Sequence, residues 1–203
     1  MNKYVSHPWH GISLGEEQPY IVNAFIEVTP SDTVKYELDK TTGILKIDRP
    51  QLFSNICPTL YGMLPQTYCG DRVANLCETK FGRNNIVGDK DPLDICVLTE
   101  KLVRHGNILL KAIPIGGIKL LDNNEADDKI IAVLKDDALY GEWDDISQCP
   151  SRILERLEHY FLTYKKSPTS KSNKCEIIEI YGRDEAINVI KLASDDYKEN
   201  FIK

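Results

Sequence analysis

The sequence predicts a mainly β protein of the α+β class, a single domain over residues 1–203. Three observations lead there. Short runs rich in β-branched and aromatic residues, separated by turn signals, fill roughly the first 135 residues. Apolar residues at helical spacing recur after Cys149-Pro150. No repeat and no linker divides the chain.

The totals narrow the function. With 203 residues the chain can bury a sizeable core, and 42% apolar with 28% charged residues is an ordinary soluble composition. A net charge of −6 argues against a partner such as nucleic acid or an anionic membrane, which calls for a basic face. A small anionic substrate stays compatible, because bound metal ions invert the local field. The six cysteines form no C-x-x-C pair, and residues 1–17 hold Lys3, His7, His10, Glu16 and Glu17 with no apolar leader core. Reduced thiols in a cytoplasmic protein are the expectation, with no run near the roughly 18 apolar residues of a membrane span.

In chain order, residues 1–19 read as a surface arm anchored by His7-Pro8-Trp9-His10-Gly11, its histidines solvated, with metal ligation by His7 and His10 as the lesser alternative. Tyr20–Val28 is a strand and Pro30-Ser31-Asp32 a turn. Thr33–Asp39 then alternates, with Val34, Tyr36 and Leu38 on one face and Lys35, Glu37 and Asp39 on the other. Lys40–Gly43 turns the chain into a return strand, Ile44–Arg49. Cys57–Thr67 follows with turn signals on both sides. The polar stretch 70–88 reads as an inserted surface loop.

Next, Asp89, Asp91 and Asp94 crowd three carboxylates into six residues before the apolar run Ile95–Leu98. Their repulsion calls for cations or water among them. Pro92 lacks an N–H and biases Asp91 toward extended geometry, which places Asp89 and Asp91 in a rigid turn and Asp94 at a strand start. The Gly and closing Glu of an EF-hand are missing. Ile108–Leu121 is a long strand broken by Pro114 and Gly116-Gly117, as suits a bulge. It leads into the acidic loop Asp122–Lys129 and the strand Ile130–Leu134. Ser151 is read as the N-cap of a helix carrying Leu154, Leu157, Tyr160, Phe161 and Tyr164, with Lys165 and Lys166 in its last turn. A loop over 168–174, a strand Cys175–Tyr181 and a terminal helix from Asp184 to about Lys198 complete the chain.

Asp89-Lys90-Asp91-Pro92-Leu93-Asp94 resembles the signature of the family I soluble inorganic pyrophosphatases. Further pieces match in order and spacing: Glu27, Lys35-Tyr36-Glu37, Asp48-Arg49, Tyr61-Gly62, then Asp122, Asp127 and Lys129, and finally Tyr164-Lys165. The chain departs from the family pattern at Cys57, where tyrosine is usual, at Leu60, where asparagine is usual, and at Asn123, where an acid is common.

The resemblance implies a small closed five-stranded OB-like β-barrel with helices packed outside. It implies hydrolysis of pyrophosphate to two phosphates, with several Mg²⁺ ions as cofactors. By resemblance, Asp89, Asp94 and Asp127 hold the first metal and Asp94 also the second. Asp122 and Asp127 hold a third, and Glu37 a substrate-linked fourth. Asp91 is the implied general base. Lys35, Arg49, Tyr61, Lys129, Tyr164 and Lys165 hold the phosphates, and Glu27 supports them without ligating. A homo-oligomer is implied as well. The chemistry agrees: a guanidinium fork suits two phosphate oxygens, and carboxylates suit Mg²⁺. Two other readings stand beside this one, a Mg²⁺-dependent hydrolase of another phosphate ester or nucleotide, and a non-catalytic OB-like metal-binding module.

Overall fold

The structure, a computed structural model, describes residues 7–166, 169 and 175–202. Among the described residues, ten strands and three α-helices follow in order: β1 Val22–Val28, β2 Val34–Leu38, β3 Leu45–Pro50, β4 Leu60–Met63, α1 Asp71–Phe81, β5 Val87–Gly88, β6 Asp94–Leu98, β7 Ile108–Asp122, β8 Glu125–Ala126, β9 Lys129–Leu134, α2 Ser151–Thr163, β10 Cys175–Gly182 and α3 Arg183–Phe201. The chain is mostly β sheet, as expected. The expected loop over 168–174 lies outside the described residues apart from Thr169.

The strand pairings return to their start. β1 pairs with β4, β4 with β6, β6 with β9, β9 with β7, and β7 with β1 again. Of these contacts only β6–β9 is parallel. β7 can serve four neighbours because it is long and broken: Ile108–Ala112 faces β1, Ala112–Ile118 faces β9, Gly116–Asp122 faces β10, and Leu121 and Asp122 also face β8. Its register against β9 shifts between Pro114 and Gly116, where the proline has no N–H to offer the ladder. β2 and β3 form a separate hairpin.

β6 is buried on both faces, so it reads as an unbroken apolar run. Ile95 and Val97 join one cluster, with Val73 and Cys77 of α1 and Val189 and Ile190 of α3. Cys96 and Leu98 join another, with Leu157, Tyr160 and Phe161 of α2. Among the described residues, no helix is long and apolar enough to cross a membrane.

Four expectations change. The stretch 70–88, expected as a loop, contains α1. Its polar residues face outward and hide an inner face of Val73, Ala74 and Cys77. Its first turn is capped from a distant segment: the buried carboxylate of Asp196 on α3 accepts from the backbone N–H of Gly70 (3.1 Å), Arg72 (3.1 Å) and Val73 (3.3 Å). Gly82, at φ 62°, closes the helix in the left-handed conformation that glycine adopts freely.

Ser151 is the first helical residue of α2 and not its cap. Pro150 holds the capping position, its extended ψ of 131° bringing the chain in, and no side chain caps the helix. Lys165 and Lys166 lie beyond the last turn, which ends at Thr163.

The arm, finally, is packed and not merely laid on. Trp9 and Leu14 are buried, and the Trp9 indole N–H donates to Thr67 O at 2.8 Å. Its histidines are bonded: His10 Nδ1 meets the Tyr197 hydroxyl at 2.8 Å and His7 Nε2 meets Lys40 O at 3.1 Å.

Because Asp196 is buried and serves three backbone donors, Asp196→Ala should destabilise the fold by about 1–3 kcal/mol, the usual result of orphaning buried donors. Urea unfolding measures this, and wild-type stability would show that α1 is capped by other means.

Candidate active site

Sheet register builds the site. In the parallel pair β6–β9, Asp94 stands opposite Lys129, each the first residue of its strand. Tyr61 on β4 reaches the same place, its hydroxyl donating to Asp94 Oδ2 at 2.5 Å. The turn before β6 adds Asp89 and Asp91. It is held by Lys90 at φ 65°, by the Asp91 N–H donating to Asp89 Oδ1 (2.9 Å), and by the Cys69 N–H donating to Asp91 O (2.8 Å). The end of β7 supplies Asp122, and the approach to β9 supplies Asp127. Tyr164 and Lys165 come from the end of α2. The β2–β3 hairpin lays Lys35 opposite Arg49. The rigid turn and the strand-starting Asp94 expected from Pro92 are both present.

These segments enclose a cavity of about 270 Å³. Every candidate named from the sequence lines it: Glu27, Lys35, Glu37, Arg49, Tyr61, Asp89, Asp91, Asp94, Asp122, Asp127, Lys129, Tyr164 and Lys165. Lys40, Asp48 and Glu125 line it as well, and sequence reasoning gave them no role. Lys40 forms an ion pair with Asp91, 51 positions away, a contact with no local signal. Asp48 has one: it flanks Arg49, and it accepts from Lys35 Nζ at 3.1 Å and Arg49 Nη1 at 2.5 Å.

Acidic side chains outnumber basic ones around the cavity, nine to five. The cations are shared out among them. The buried Lys129 ammonium donates to both Asp94 and Asp127, Lys165 to Asp122, and Lys35 to Glu37 Oε2 at 3.0 Å. Burial pulls the Lys129 ammonium down, but Asp127 and Asp94 outweigh it and hold the group well above its ordinary range. Burial likewise works against Asp127, yet Lys129 keeps its carboxyl below the usual value.

Elsewhere the positive charge falls short. Burial, helped by the charge on Asp127, pushes Asp89 up to about 9. Burial also pushes Glu27 up to about 8, against the backbone N–H of Leu38 donating to it at 2.7 Å. Burial raises Asp94 despite Lys129. A set of oxygen donors too crowded to ionise together fits hard divalent cations. Among the described residues, no group of three His, Cys, Asp or Glu is arranged to hold an ion, and the Lys129 ammonium bridges Asp94 and Asp127. Among the described residues, Arg49 Nη2 is buried without a hydrogen-bond partner, and Arg49 lines the cavity.

A family model for inorganic pyrophosphatase matches residues 24–198, most of the chain. The chain belongs to the inorganic pyrophosphatase family. It is 56% identical to the inorganic pyrophosphatase of Chlamydia trachomatis serovar D over 202 residues, covering 98% of this chain and 97% of the relative. It is 36% identical to a soluble inorganic pyrophosphatase of Solanum tuberosum over 194 residues, 96% of this chain and 82% of that one. Among solved structures, an inorganic pyrophosphatase from Neisseria gonorrhoeae superposes with a TM-score of 0.76 at 26% identity, covering 92% of this chain and 96% of that one. One from Thermus thermophilus shares the fold with a TM-score of 0.78 at 24% identity, covering 96% and 99%. As a member of this family the chain is a hydrolase of inorganic pyrophosphate that works with a divalent metal cofactor.

The departures from the family pattern sit outside the cavity lining. Cys57 and Leu60 are fully buried in apolar clusters. Asn123 turns its amide back, Nδ2 donating to Asp122 Oδ1 at 2.8 Å, so it supports a carboxylate where a further acid is common.

Glu27 gives a prediction with a definite sign. Its folded value of about 8 lies above the ordinary 4.5, so the folded state keeps a proton that the unfolded state has released. Stability of the metal-free protein therefore falls as pH rises between these values. Glu27→Gln keeps the acceptor for Leu38 N–H and removes the titration. Its unfolding free energy across that window should lose this slope, and an unchanged slope would mean that Glu27 is ionised in the fold.

Proposed function

We propose that this cavity cleaves pyrophosphate into two phosphates by in-line attack of water. One observation carries the reading: two acidic stretches far apart in sequence, 89–94 and 122–127, meet at one cavity with Lys35, Arg49, Lys129 and Lys165. We also take the ring β1-β4-β6-β9-β7 as a closed five-stranded, OB-like barrel within one domain, with the helices outside it.

Asp89, Asp94, Asp122, Asp127 and Glu37 would hold Mg²⁺, several ions per site, with Asp94 and Asp127 each serving two. When bound, these ions supply charge neutralisation and a water of lowered pKa. The rest of the chemistry falls to the chain's own groups. Lys35 and Arg49 bind phosphate oxygens, the guanidinium lying 5.4 Å from the Tyr164 ring centroid, where stacking limits its motion. Arg49 Nη1 is bonded to Asp48, and among the described residues Nη2 has no partner, so a phosphate oxygen would be its first acceptor. Tyr61 and Lys129 orient the electrophilic phosphate. Asp91 accepts the proton of the attacking water as its oxygen bonds to phosphorus. The bond from that phosphorus to the bridging oxygen breaks, and the departing phosphate leaves on Tyr164 and Lys165. Glu27, buried and bonded to Leu38 N–H, supports the β2 end of the site. Donors already aimed at the developing charge are the largest catalytic resource of such a site.

Two further parts of the reading rest on the resemblance. One is assembly as a homo-oligomer. The other is a cytoplasmic place in phosphate metabolism, where a reducing compartment suits six free cysteines.

Purified protein with Mg²⁺ should release phosphate from pyrophosphate far faster than from ATP or p-nitrophenyl phosphate. Cleavage of ATP with pyrophosphate left intact would sink the reading.

If Asp91 is the base and not a ligand, Asp91→Asn should lower turnover by roughly 10²–10⁴-fold. Calorimetric Mg²⁺ affinity should then fall less than in Asp94→Asn. The larger loss in Asp91→Asn would reverse the two roles.

A further inference from the structure

Behind the hairpin that carries Asp122, Asp127 and Lys129 lies a second charged cluster that the reaction does not use. Lys119 on β7 and Asp128, just before β9, are both buried and absent from the cavity lining. Lys119 Nζ lies 3.0 Å from Asp128 Oδ2. The Tyr181 hydroxyl of β10 donates to the same oxygen at 3.2 Å, and the Lys119 ammonium sits 4.8 Å from the Tyr181 ring centroid. Gly117 makes room for that ring, since a Cβ there would fall 2.4 Å from Tyr181 Cζ. Glu185 of α3 lies 3.6 Å from Lys119 and 3.6 Å from Lys80 of α1.

Packing alone does not call for these charges. From Ile115 to Leu121 every neighbour of Lys119 on β7 is apolar or glycine, and Asp128 Oδ1 is buried without a partner among the described residues. A buried ion pair is a weak source of stability, because desolvation offsets most of the attraction. Its best-attested use is to specify register.

Register is what this hairpin needs. Successive side chains along an extended chain point to opposite sides. Asp127 and Lys129 line the cavity and Asp128, between them, does not. A slip of one residue would exchange them and remove both from the site. The Asp127 N–H donates to Leu120 O at 3.0 Å, and Lys129 stands opposite Ile118, so the residues flanking Lys119 are the ones that pair with the residues flanking Asp128.

We propose that Lys119 and Asp128 are positioning residues for the hydrolysis: their buried pair locks the register of the 122–129 hairpin and keeps Asp127 and Lys129 facing the substrate. This rests on the reading of Asp127 as a metal ligand and Lys129 as a phosphate ligand. Tyr181 fixes the carboxylate from the β10 side, and Glu185 with Lys80 ties the pair to α3 and α1.

The test is the double variant Lys119→Met, Asp128→Leu, which replaces the pair by apolar residues and should fold with near-wild-type melting behaviour. Its kcat should fall by about ten- to hundredfold, the scale of a small misplacement, and its half-saturating Mg²⁺ concentration should rise. A merely structural pair would leave both at wild-type values in the folded double variant, and that result overturns the proposal. Asp128→Asn, which keeps the shape and the Tyr181 bond, decides the matter in the same two readouts if the double variant does not fold. If both variants unfold, the pair is a folding determinant and the positioning role is rejected. Asp127→Asn and Lys129→Met run alongside. Wild-type turnover in these controls would refute the reading of the cavity, whereas their loss beside an active double variant would refute the register lock alone.

Discussion

Negative charge packed into a small, partly buried space is the constraint around which this molecule is arranged. Nine acidic side chains face five basic ones in the cavity, and two of the acids, Asp89 and Glu27, sit at about 9 and about 8. Left alone, such a set would repel itself apart. The fold answers by placing the Lys129 ammonium between Asp94 and Asp127, and it can do so because β6 and β9 run parallel with Asp94 opposite Lys129. The shortage of positive charge that remains is also what makes the site fit for divalent cations and for a substrate that arrives with them.

A site of this kind needs a stiff frame, since small displacements of charged donors forfeit much of their effect. The frame comes from strands buried on both faces. β6 sends alternate side chains to clusters held by α1 and α3 on one side and by α2 on the other. The carboxylates therefore sit at strand ends, or in a turn whose backbone is bonded back to Cys69. The β2–β3 hairpin is the more exposed part, with Ile44 and Ile47 open to solvent, and it contributes Lys35, Glu37 and Arg49 from one side of the cavity.

The charged side chains fall into two layers with different tasks. Those facing the cavity are shared among several partners, as when Lys35 serves both Glu37 and Asp48. Those behind it, Lys119 with Asp128 and Arg72 with Asp196, tie elements together. Asp196 does this through backbone N–H groups of α1, and Lys119 through the segment leading into β9. The departures from the family pattern at Cys57 and Leu60 belong to the apolar packing, and at Asn123 the side chain supports Asp122.

Much of this was legible in the residues. Alternation marked β2, the turn after it marked β3, Pro114 with Gly116-Gly117 marked the irregularity in β7, and the spacing of Leu157, Tyr160 and Phe161 marked α2, because these signals are local. The clustering of Asp89, Asp91 and Asp94 marked the chemistry, because like charges that close need a reason. What escaped was held by distant partners. α1 has its cap 124 positions from Arg72, so its polar sequence looked like a loop. Lys40 meets Asp91 only through the bend of the hairpin, and Lys165 left its helix to pair with Asp122. By itself, then, the sequence marked the longer strands β1, β2, β3, β6, β7, β9 and β10 and pointed to side chains of the types that suit metal and phosphate, since these follow from period and functional group. Only the tertiary structure decided that the two acidic stretches share one cavity and which lysine stands between which carboxylates, because pairing register and burial, not composition, place a charge.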